Sequence, residues 1–189
     1  MLMRRGLRAW VVGAMAACAL AASSWAADGT AHDWNPCPAA LGDASAPDTS
    51  TTSLPTHPRW ELTLSPWTHH WNYNPAHRHV LLGAMDRYVA GQRFCGLALF
   101  SNSFGQPSAY AYVGQRWDGV MGHPDVFVKV SAGLIYGYKA PYKNKIPFND
   151  YGVAPAIIPA LGYRFGQGHS VQMMVLGNAG ILFAYGHTF

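Results

Sequence analysis

The sequence predicts an all-β protein: an eight-stranded antiparallel outer-membrane β-barrel that follows an irregular N-terminal tail. Charged residues make up only 12% of the 189 residues, well below the ~25% of an average soluble domain, whereas aromatic residues reach 13%. From residue 59 to residue 189, short segments of alternating polarity follow one another between turn residues. The last segment ends on the aromatic residue Phe189, which resembles the sorting signal of outer-membrane barrels. Together these observations favour a barrel whose outer face meets lipid.

The first 26 residues are predicted to be a secretory signal peptide. Arg4, Arg5 and Arg8 precede the apolar run AWVVGAMAACALAA, and the residues at 24–26, SWA, offer a cleavage site with small side chains. Removing three arginines from 13 basic residues leaves 10, against 9 acidic residues, so the mature chain has a net charge of +1. The basic character of the whole chain therefore comes largely from the signal, and no nucleic-acid partner is expected.

Residues 27–58 are predicted to form an irregular tail. They are rich in Pro, Ala, Ser, Thr and Asp, and they show neither a helical nor a strand period. Cys37 lies in this tail and Cys95 lies in a predicted strand. Secretion makes a disulfide between them chemically possible, but their spacing alone does not decide whether it forms.

The remaining segment, 59–189, is predicted to form the transmembrane barrel. Each predicted strand is near the ~9–11 residues that a tilted strand needs to cross a bilayer. An even number of strands is also what bacterial single-chain barrels have. The eight predicted strands are 60–71, 78–88, 93–102, 108–117, 125–138, 151–165, 169–177 and 180–189.

The alternation is clearest in the fifth predicted strand, 125–138. Apolar side chains at its even positions, which include Tyr138, share one face, whereas Lys129, Ser131 and Gly133 lie on the other. One face is therefore predicted to meet lipid and the other to line a lumen. A secreted soluble β-sandwich is the alternative, but it would carry more charge on its solvent face than these strands do.

The barrel topology predicts which connections lie together. With both chain ends in the periplasm, each connection from an odd to an even strand faces outward. The longest connection, 139–150, then lies outside, as expected for barrels of this kind. The predicted outward connections are 72–77, 103–107, 139–150 and 178–179, and the inward turns are 89–92, 118–124 and 166–168.

Three residues that can carry chemistry fall at the same predicted end of the barrel. His70 ends the first strand, in PWTHHW, whereas Asn102 and Ser103 end the third, in FSNSFGQ. A histidine that takes a proton, a hydroxyl and an orienting amide are the components of acyl transfer. The same residue types also occur on many rims without function, so the pattern by itself is weak.

The sequence resembles the lipid A palmitoyltransferase (PagP) family, whose members are eight-stranded outer-membrane barrels. The resemblance covers most of 60–189 and depends on the order and spacing of short motifs. These are THH at 68–70, GLALFSNSF at 96–104, AYVGQRW at 111–117, VSAGLIYG at 130–137 and VAPAIIPALGYRFG at 153–166.

The resemblance implies an acyltransferase in the outer membrane of a Gram-negative bacterium. The enzyme would move a palmitoyl-like chain from a glycerophospholipid donor to lipid A, as a monomer and without a cofactor. His70 would act as general base, and Ser103 would supply the hydroxyl at the acyl centre. Asn102 stands where the family has Asp, so an amide would orient the ring or stabilise an oxyanion there. The acyl chain would lie in an apolar lumen.

Three prolines interrupt the predicted strands. Pro66, Pro155 and Pro159 each remove a hydrogen-bond donor from the ladder, which is costly in lipid. In the family, seams weakened by proline let lipid pass sideways between the membrane and the lumen. The alternative is that these prolines only mark β-bulges.

Two further groups of side chains are candidates for binding. Lys139, Lys143 and Lys145 in the longest outer loop are expected to contact lipopolysaccharide phosphates, or else only to keep the loop soluble. Four histidines within 11 residues suggest a metal site, but no Cys or carboxylate is regularly spaced with them, so no metal is predicted. These histidines are His69, His70, His77 and His79.

Two other functions remain open. A small transport or structural barrel without enzymatic activity would have incidental rim residues, and large side chains would pack its outer lumen shut. A lipid A deacylase is less favoured. That family uses a strand-borne His-x-Ser together with a Glu, whereas this chain has no such match and Glu61 is its only glutamate.

Overall fold

The chain folds into a closed barrel of eight antiparallel strands. The computed structural model of the chain describes Cys37, residues 59–72, Pro75 and residues 77–189. The predicted signal peptide and most of the predicted tail lie outside the described residues. Each strand pairs with the next, and the last pairs with the first, which confirms the predicted fold class. The strands are β1 (Arg59–His70), β2 (Leu82–Tyr88), β3 (Arg93–Ser101), β4 (Pro107–Asp118), β5 (Val126–Tyr136), β6 (Val153–Phe165), β7 (His169–Val175) and β8 (Gly180–Thr188).

Side chains alternate between the lumen and an apolar outer surface, as predicted. In β3, Leu97 and Leu99 are 49% and 61% exposed, whereas Ala98 between them is 2% exposed. In β5, Lys129 and Ser131 are buried inside. An outward apolar face on a closed sheet is typical of a transmembrane barrel, and a single closed sheet excludes the β-sandwich. Among the described residues, no helix is long and apolar enough to cross a membrane.

Several strand ends differ from the prediction, and the start of β2 differs the most. β2 begins at Leu82 rather than at 78, because its ladder with β1 stops at Ser65 and the next residue of β1, Pro66, has no N–H to donate. β7 ends at Val175 rather than at 177, because the chain already turns there. The N–H of Leu176 donates to the carbonyl of Gly180, which closes the short connection to β8.

The barrel has an outer end and an inner end. The outer end carries His70 and the loop between β3 and β4. The inner end is where β1 begins and β8 finishes, and there the backbones of Trp60 and Phe189 exchange two hydrogen bonds of 2.9 and 2.8 Å.

An ion network lies in the inner half of the lumen. Nζ of Lys129 lies 2.6 Å from Oδ2 of Asp86 and 3.3 Å from Oε1 of Glu61. Arg116 pairs with the same Glu61 at 3.4 Å, and the hydroxyl of Tyr88 donates to it at 2.8 Å. All four charged residues are at most 6% exposed. Two cations therefore meet two carboxylates, which is the condition for burying charge without a large penalty.

The outer half of the lumen is apolar and narrow. A cavity of about 50 Å³ lies in this half, and Asp86 and Lys129 are the charged residues that line it. Large and flexible side chains therefore fill most of this half. The apolar residues that line the cavity include Leu82, Ala84, Ala98, Tyr110, Ile158, Met174, Leu176 and Leu182.

A disulfide joins the tail to the barrel. Cys37 and Cys95 are bonded, with their Cα atoms 5.8 Å apart and a separation of 58 positions in the sequence. Cys37 is buried, and its sulfur lies 3.9 Å from the carbonyl oxygen of Arg87. The pairing that the sequence left open is therefore present, and it holds this point of the tail against β2 and β3.

Candidate functional site

The loop between β3 and β4 is organised by the side chain of Asn102. Its Oδ1 accepts hydrogen bonds from the backbone N–H groups of Phe104 and Gln106, both at 3.0 Å. Its Nδ2 donates to Oγ of Ser108 at 3.1 Å and to Oε1 of Gln106 at 3.4 Å. The residue is fully buried. An amide fits this position because it both accepts and donates, whereas a carboxylate only accepts.

The contacts of Asn102 therefore differ from those that its predicted role requires. The hydrogen bonds found for its side chain among the described residues all go to 104–108, and none goes to His70 or Ser103. Its contribution is to hold the loop in which Ser103 lies. The predicted action of Asn102 on the imidazole or on an oxyanion has no contact to support it.

His70 and Ser103 meet at the outer end of the barrel. Nε2 of His70 lies 2.8 Å from Oγ of Ser103, although the two residues are 33 positions apart. The backbone of Ser103 is also fixed, since its carbonyl accepts a hydrogen bond from the N–H of Arg78 at 2.8 Å. General-base activation requires the nucleophile and the base to lie within hydrogen-bond distance of each other, as these two side chains do. The order of the predicted strands already predicted that His70 and Ser103 lie at the same end of the barrel.

A second histidine packs on His70. The ring centroids of His77 and His70 are 4.4 Å apart, and the ring of His77 meets Phe104 edge-on at 5.4 Å. The sequence suggests a role for His77 only in a metal site. No group of three or more His, Cys, Asp or Glu side chains is placed to hold a metal ion in the part of the chain that the structure describes. The stacking instead restricts how the imidazole of His70 can turn.

Tyr138 is a site residue that the sequence interpretation missed. It was predicted to face lipid in the fifth strand, but β5 ends at Tyr136, and Gly137 follows with a φ of +126°. This left-handed backbone, which favours glycine, breaks the alternation and turns Tyr138 toward the loop. Its ring meets that of Phe104, the residue after Ser103, edge-on with the centroids 6.4 Å apart, and burial raises the pKa of the Tyr138 hydroxyl. The glycine within an otherwise regular strand pattern was the available signal.

Two seams in the barrel wall coincide with the three prolines. The ladder between β1 and β2 ends at Ser65, so β1 from Pro66 to His70 has no described partner in β2. Across this seam, the Thr68 hydroxyl bonds the carbonyl of Val80 at 3.5 Å. The ladder between β6 and β7 begins only at Ala160.

The prolines differ in their local geometry. Pro66 lies where the register between β1 and β8 shifts, so it marks a bulge as well as the end of a ladder. Pro155 and Pro159 lie in the stretch of β6 that has no pairing with β7, while their register with β5 is continuous. A bulge therefore explains the first proline but neither of the other two.

The three lysines of the loop between β5 and β6 lie at the outer end. Lys139 and Lys145 are exposed, and Nζ of Lys145 lies 6.0 Å from the ring of Phe104. Lys143 is half-buried, and its carbonyl accepts a hydrogen bond from Asn149. No carboxylate forms a salt bridge with these lysines among the described residues. Their predicted contact with lipid phosphates remains a prediction.

The chain was compared with known proteins. No family model matches the sequence, and no curated protein matches it. Among solved structures, it is similar to one described as "De novo design of transmembrane beta-barrels", with 14% identity and a TM-score of 0.48, over 70% of this chain and 95% of that chain. The resemblance to the lipid A palmitoyltransferase family therefore stays a prediction.

Proposed function

We propose that this protein is an acyltransferase of the outer membrane that moves a fatty acyl chain from a glycerophospholipid to lipid A. One observation supports this above all others: Nε2 of His70 and Oγ of Ser103 are 2.8 Å apart at the outer end of a transmembrane-type barrel. Lipid A and its phosphates lie at that surface in the outer membrane of a Gram-negative bacterium. A base and a hydroxyl are thereby available where both lipids can reach them.

The chemistry requires only groups of this chain and the two lipids. The tautomer of His70 protonated on Nδ1 leaves Nε2 free to accept the proton of the Ser103 hydroxyl. The activated oxygen attacks the carbonyl carbon of the donor ester, and the departing glycerol oxygen takes the proton back from the imidazolium. The acceptor hydroxyl of lipid A then completes the exchange by the reverse of these steps. No cofactor takes part.

The seams provide a path for the donor. Between β1 and β2, and between β6 and β7, the wall loses its backbone ladder only in the outer half, next to the apolar part of the lumen. An acyl chain entering there passes from lipid into a largely apolar interior, at whose inner end Asp86 and Lys129 of the ion network lie. Pro155 and Pro159, which remove donors from β6, keep that seam from closing.

The lysines of the loop between β5 and β6 suit an anionic acceptor. Lys139 and Lys145 present exposed ammonium groups at the end of the barrel where the site lies. Phosphate groups of lipid A are matching anions, and each such contact is screened by salt. These lysines would hold the acceptor while its hydroxyl approaches Ser103.

One experiment tests the proposed function. Lipid A is extracted from cells that express the wild-type protein, the His70→Ala variant or neither, and its mass spectrum is recorded. We expect a species heavier by one acyl chain with the wild type alone. A lighter species that depends on His70 would instead identify a deacylase.

A structural or transport barrel is the second candidate, and the size of the lumen favours it. The outer lumen leaves a cavity of only about 50 Å³, so an acyl chain has to displace side chains such as those of Met174 and Leu176. A barrel that never admits lipid needs no such movement. Identical lipid A spectra with and without the protein, in cells whose membranes contain the folded barrel, would support this candidate over the acyltransferase.

A further inference from the structure

We propose that His169 and His187 bind a zinc ion, and that this ion joins β7 to β8 at the inner end of the barrel. The inference does not depend on the proposed acyl transfer, because the pair lies at the opposite end of the barrel from His70 and Ser103. Three features of the pair lead to it: the register of the two strands, the distance between two ring nitrogens, and the hydrogen bonds that the polar groups can form.

The two histidines face each other across neighbouring strands. His169 is the first residue of β7, and its register partner in β8 is His187. Next to this pair, the N–H of Thr188 donates to the carbonyl of Gly168 at 2.7 Å, which holds the two backbones together on the side of the turn. Residues directly opposite each other in an antiparallel ladder have Cβ atoms about 4.5–5.5 Å apart. The backbone pairing therefore sets the two imidazoles side by side.

Both imidazoles lie on the outward face of the barrel. Ser170 and Gln172, at the alternate positions of β7, are buried in the lumen, whereas Tyr185, two residues before His187, is 39% exposed. His169 and His187 themselves are half-buried. Because the pair stands where β7 begins and β8 finishes, an ion in the water beside the membrane reaches it without crossing the wall.

The distance between the two ring nitrogens matches a zinc site. The Nδ1 atoms of His169 and His187 are 3.3 Å apart, and the ring centroids are 4.6 Å apart. In a tetrahedral zinc site each nitrogen lies about 2.0–2.1 Å from the metal, which puts two such ligands about 3.3–3.4 Å from each other. A square-planar ion with bonds of similar length requires neighbouring nitrogens about 2.9 Å apart. The observed separation therefore favours zinc.

Hydrogen bonds alone do not satisfy the polar groups at this point. The Tyr185 hydroxyl also lies 2.5 Å from Nδ1 of His169, so three polar atoms converge. Nδ1 of a neutral imidazole carries either a proton or one lone pair. If Tyr185 donates to that lone pair, none is left for His187; if Nδ1 of His169 is protonated, one hydrogen is shared between two acceptors. A cation between two Nδ1 lone pairs removes this conflict.

Aromatic rings hold the pair in position. The ring of Phe165 stacks on that of His169 with the centroids 6.0 Å apart, and the ring of Tyr185 stacks on it at 5.8 Å. Phe189 stacks on His187 at 6.1 Å. These contacts limit how far either imidazole turns away from the other. The two nitrogens are thus set close together by the fold, which lowers the cost of arranging them around an ion.

The bound ion would stabilise the folded barrel. Zinc takes one nitrogen from each strand, and water takes the two remaining positions, with the Tyr185 hydroxyl accepting a hydrogen bond from one of these waters. The two nitrogens come together only when β7 and β8 are paired, so zinc binds the folded state in preference to the unfolded state. Two protein ligands are fewer than the three or four of most zinc sites. We therefore expect a weaker affinity than theirs.

The test uses the purified, folded barrel in detergent, freed of metal with a chelator and then titrated with Zn²⁺. Calorimetry gives the affinity, and thermal unfolding gives the melting temperature with and without the ion. At zinc concentrations about 100 times the dissociation constant, we expect the melting temperature to rise by several degrees. Mg²⁺ prefers oxygen ligands and should cause no such rise.

Two variants remove the ligands one at a time. His169→Phe and His187→Phe each keep an aromatic ring in the stack and delete the nitrogens. Each should lose the zinc-dependent rise, and its zinc affinity should fall by more than the about 10–100-fold that is typical when only a partner hydrogen-bonded to a ligand is lost. His123→Phe is the matched control, because this single exposed histidine lies in the turn between β4 and β5 and should keep both properties.

His77→Ala distinguishes this pair from the histidines at the outer end, where His77 stacks on His70. It should keep the zinc-dependent rise. Loss of the rise in folded His77→Ala and its retention in folded His187→Phe would place the ion at the outer end and overturn the inference. A wild-type barrel that zinc does not stabilise, or that Mg²⁺ stabilises equally, would overturn it as well. None of these results bears on acyl transfer, so the proposed function fails or stands separately.

Discussion

The two halves of the lumen differ in how they are held together. In the inner half, Glu61, Asp86, Arg116 and Lys129 form an ion network that Arg116 extends to Asp118 at 2.9 Å, and all eight strands are paired. In the outer half, the lumen is apolar, and two of the strand ladders stop at or beside prolines. In lipid, a missing ladder bond leaves backbone groups that have to be hydrogen-bonded in another way or buried in protein. The comparison indicates that the inner half is held by more interactions than the outer half. We propose that the gaps in the outer half give lipid access to the site.

The two halves also differ in what their polar groups do. The charges of the inner half pair with one another, so each one depends on the rest. At the outer end, Nε2 of His70 and Oγ of Ser103 are directed at each other. A change in the inner half should therefore affect folding, and a change at the outer end should affect activity.

The largest effect is expected in the ion network. Lys129→Met leaves Asp86 buried without its closest cation and should lower the free energy of unfolding by about 3–5 kcal/mol. Lys145→Met is the matched control, since this lysine is exposed in the outer loop and should change stability by less than about 0.5 kcal/mol. Urea titrations of both variants in detergent give the two values. Equal stability of the two variants would show that the network does not hold the barrel.

A smaller effect is expected at the seams. Replacing Pro66, Pro155 or Pro159 by Ala restores a backbone donor at the edge of a gap, which should narrow the gap and slow acyl transfer several-fold. Folding, followed by heat-modifiable gel mobility, should be unchanged. Pro124→Ala in an inner turn is the control and should leave turnover as it is. If all three seam variants keep the wild-type rate, the prolines only shape the strands.

The smallest effect is expected at Asn102. Asn102→Asp replaces two donated hydrogen bonds by a carboxylate that faces Oε1 of Gln106, and each lost bond costs about 1 kcal/mol. We expect a modest fall in melting temperature and a few-fold loss of activity. Asn144→Asp in the exposed outer loop should change neither. A gain in activity on Asn102→Asp would instead mean that this side chain acts on His70, as the carboxylate of the resembled family implies.

Much of the fold could be predicted from the sequence, because a closed barrel repeats one local pattern. Alternation with a period of two is visible in β5, where Val128 and Val130 alternate with Lys129 and Ser131, and closure leaves little freedom in the order of strands. The shared end of His70 and Ser103 followed from strand order alone. The early end of the ladder at Ser65 could not be predicted, since it depends on how β1 and β2 meet beside Pro66.

The remaining parts of the site depend on contacts that local patterns do not contain. The position of Tyr138 follows from one backbone angle at Gly137 and from a loop more than 30 residues earlier. The role of Asn102 depends on which of its neighbours donate and which accept. The pairing of Lys129 with Asp86 depends on the register of strands that are not adjacent in sequence. Each of these is a three-dimensional relation between residues that look ordinary in the sequence.

The most direct test of the account is the release of lysophospholipid by the purified barrel, measured for the wild type and for Ser103→Ala. Release of this product requires the donor ester to break, whichever acceptor takes the acyl chain. We predict release by the wild type and a loss of about 10²–10⁴-fold in Ser103→Ala, with the same unfolding free energy for both proteins. Equal release by the two proteins, or none from a folded wild-type barrel supplied with phospholipid and lipid A, would contradict the account.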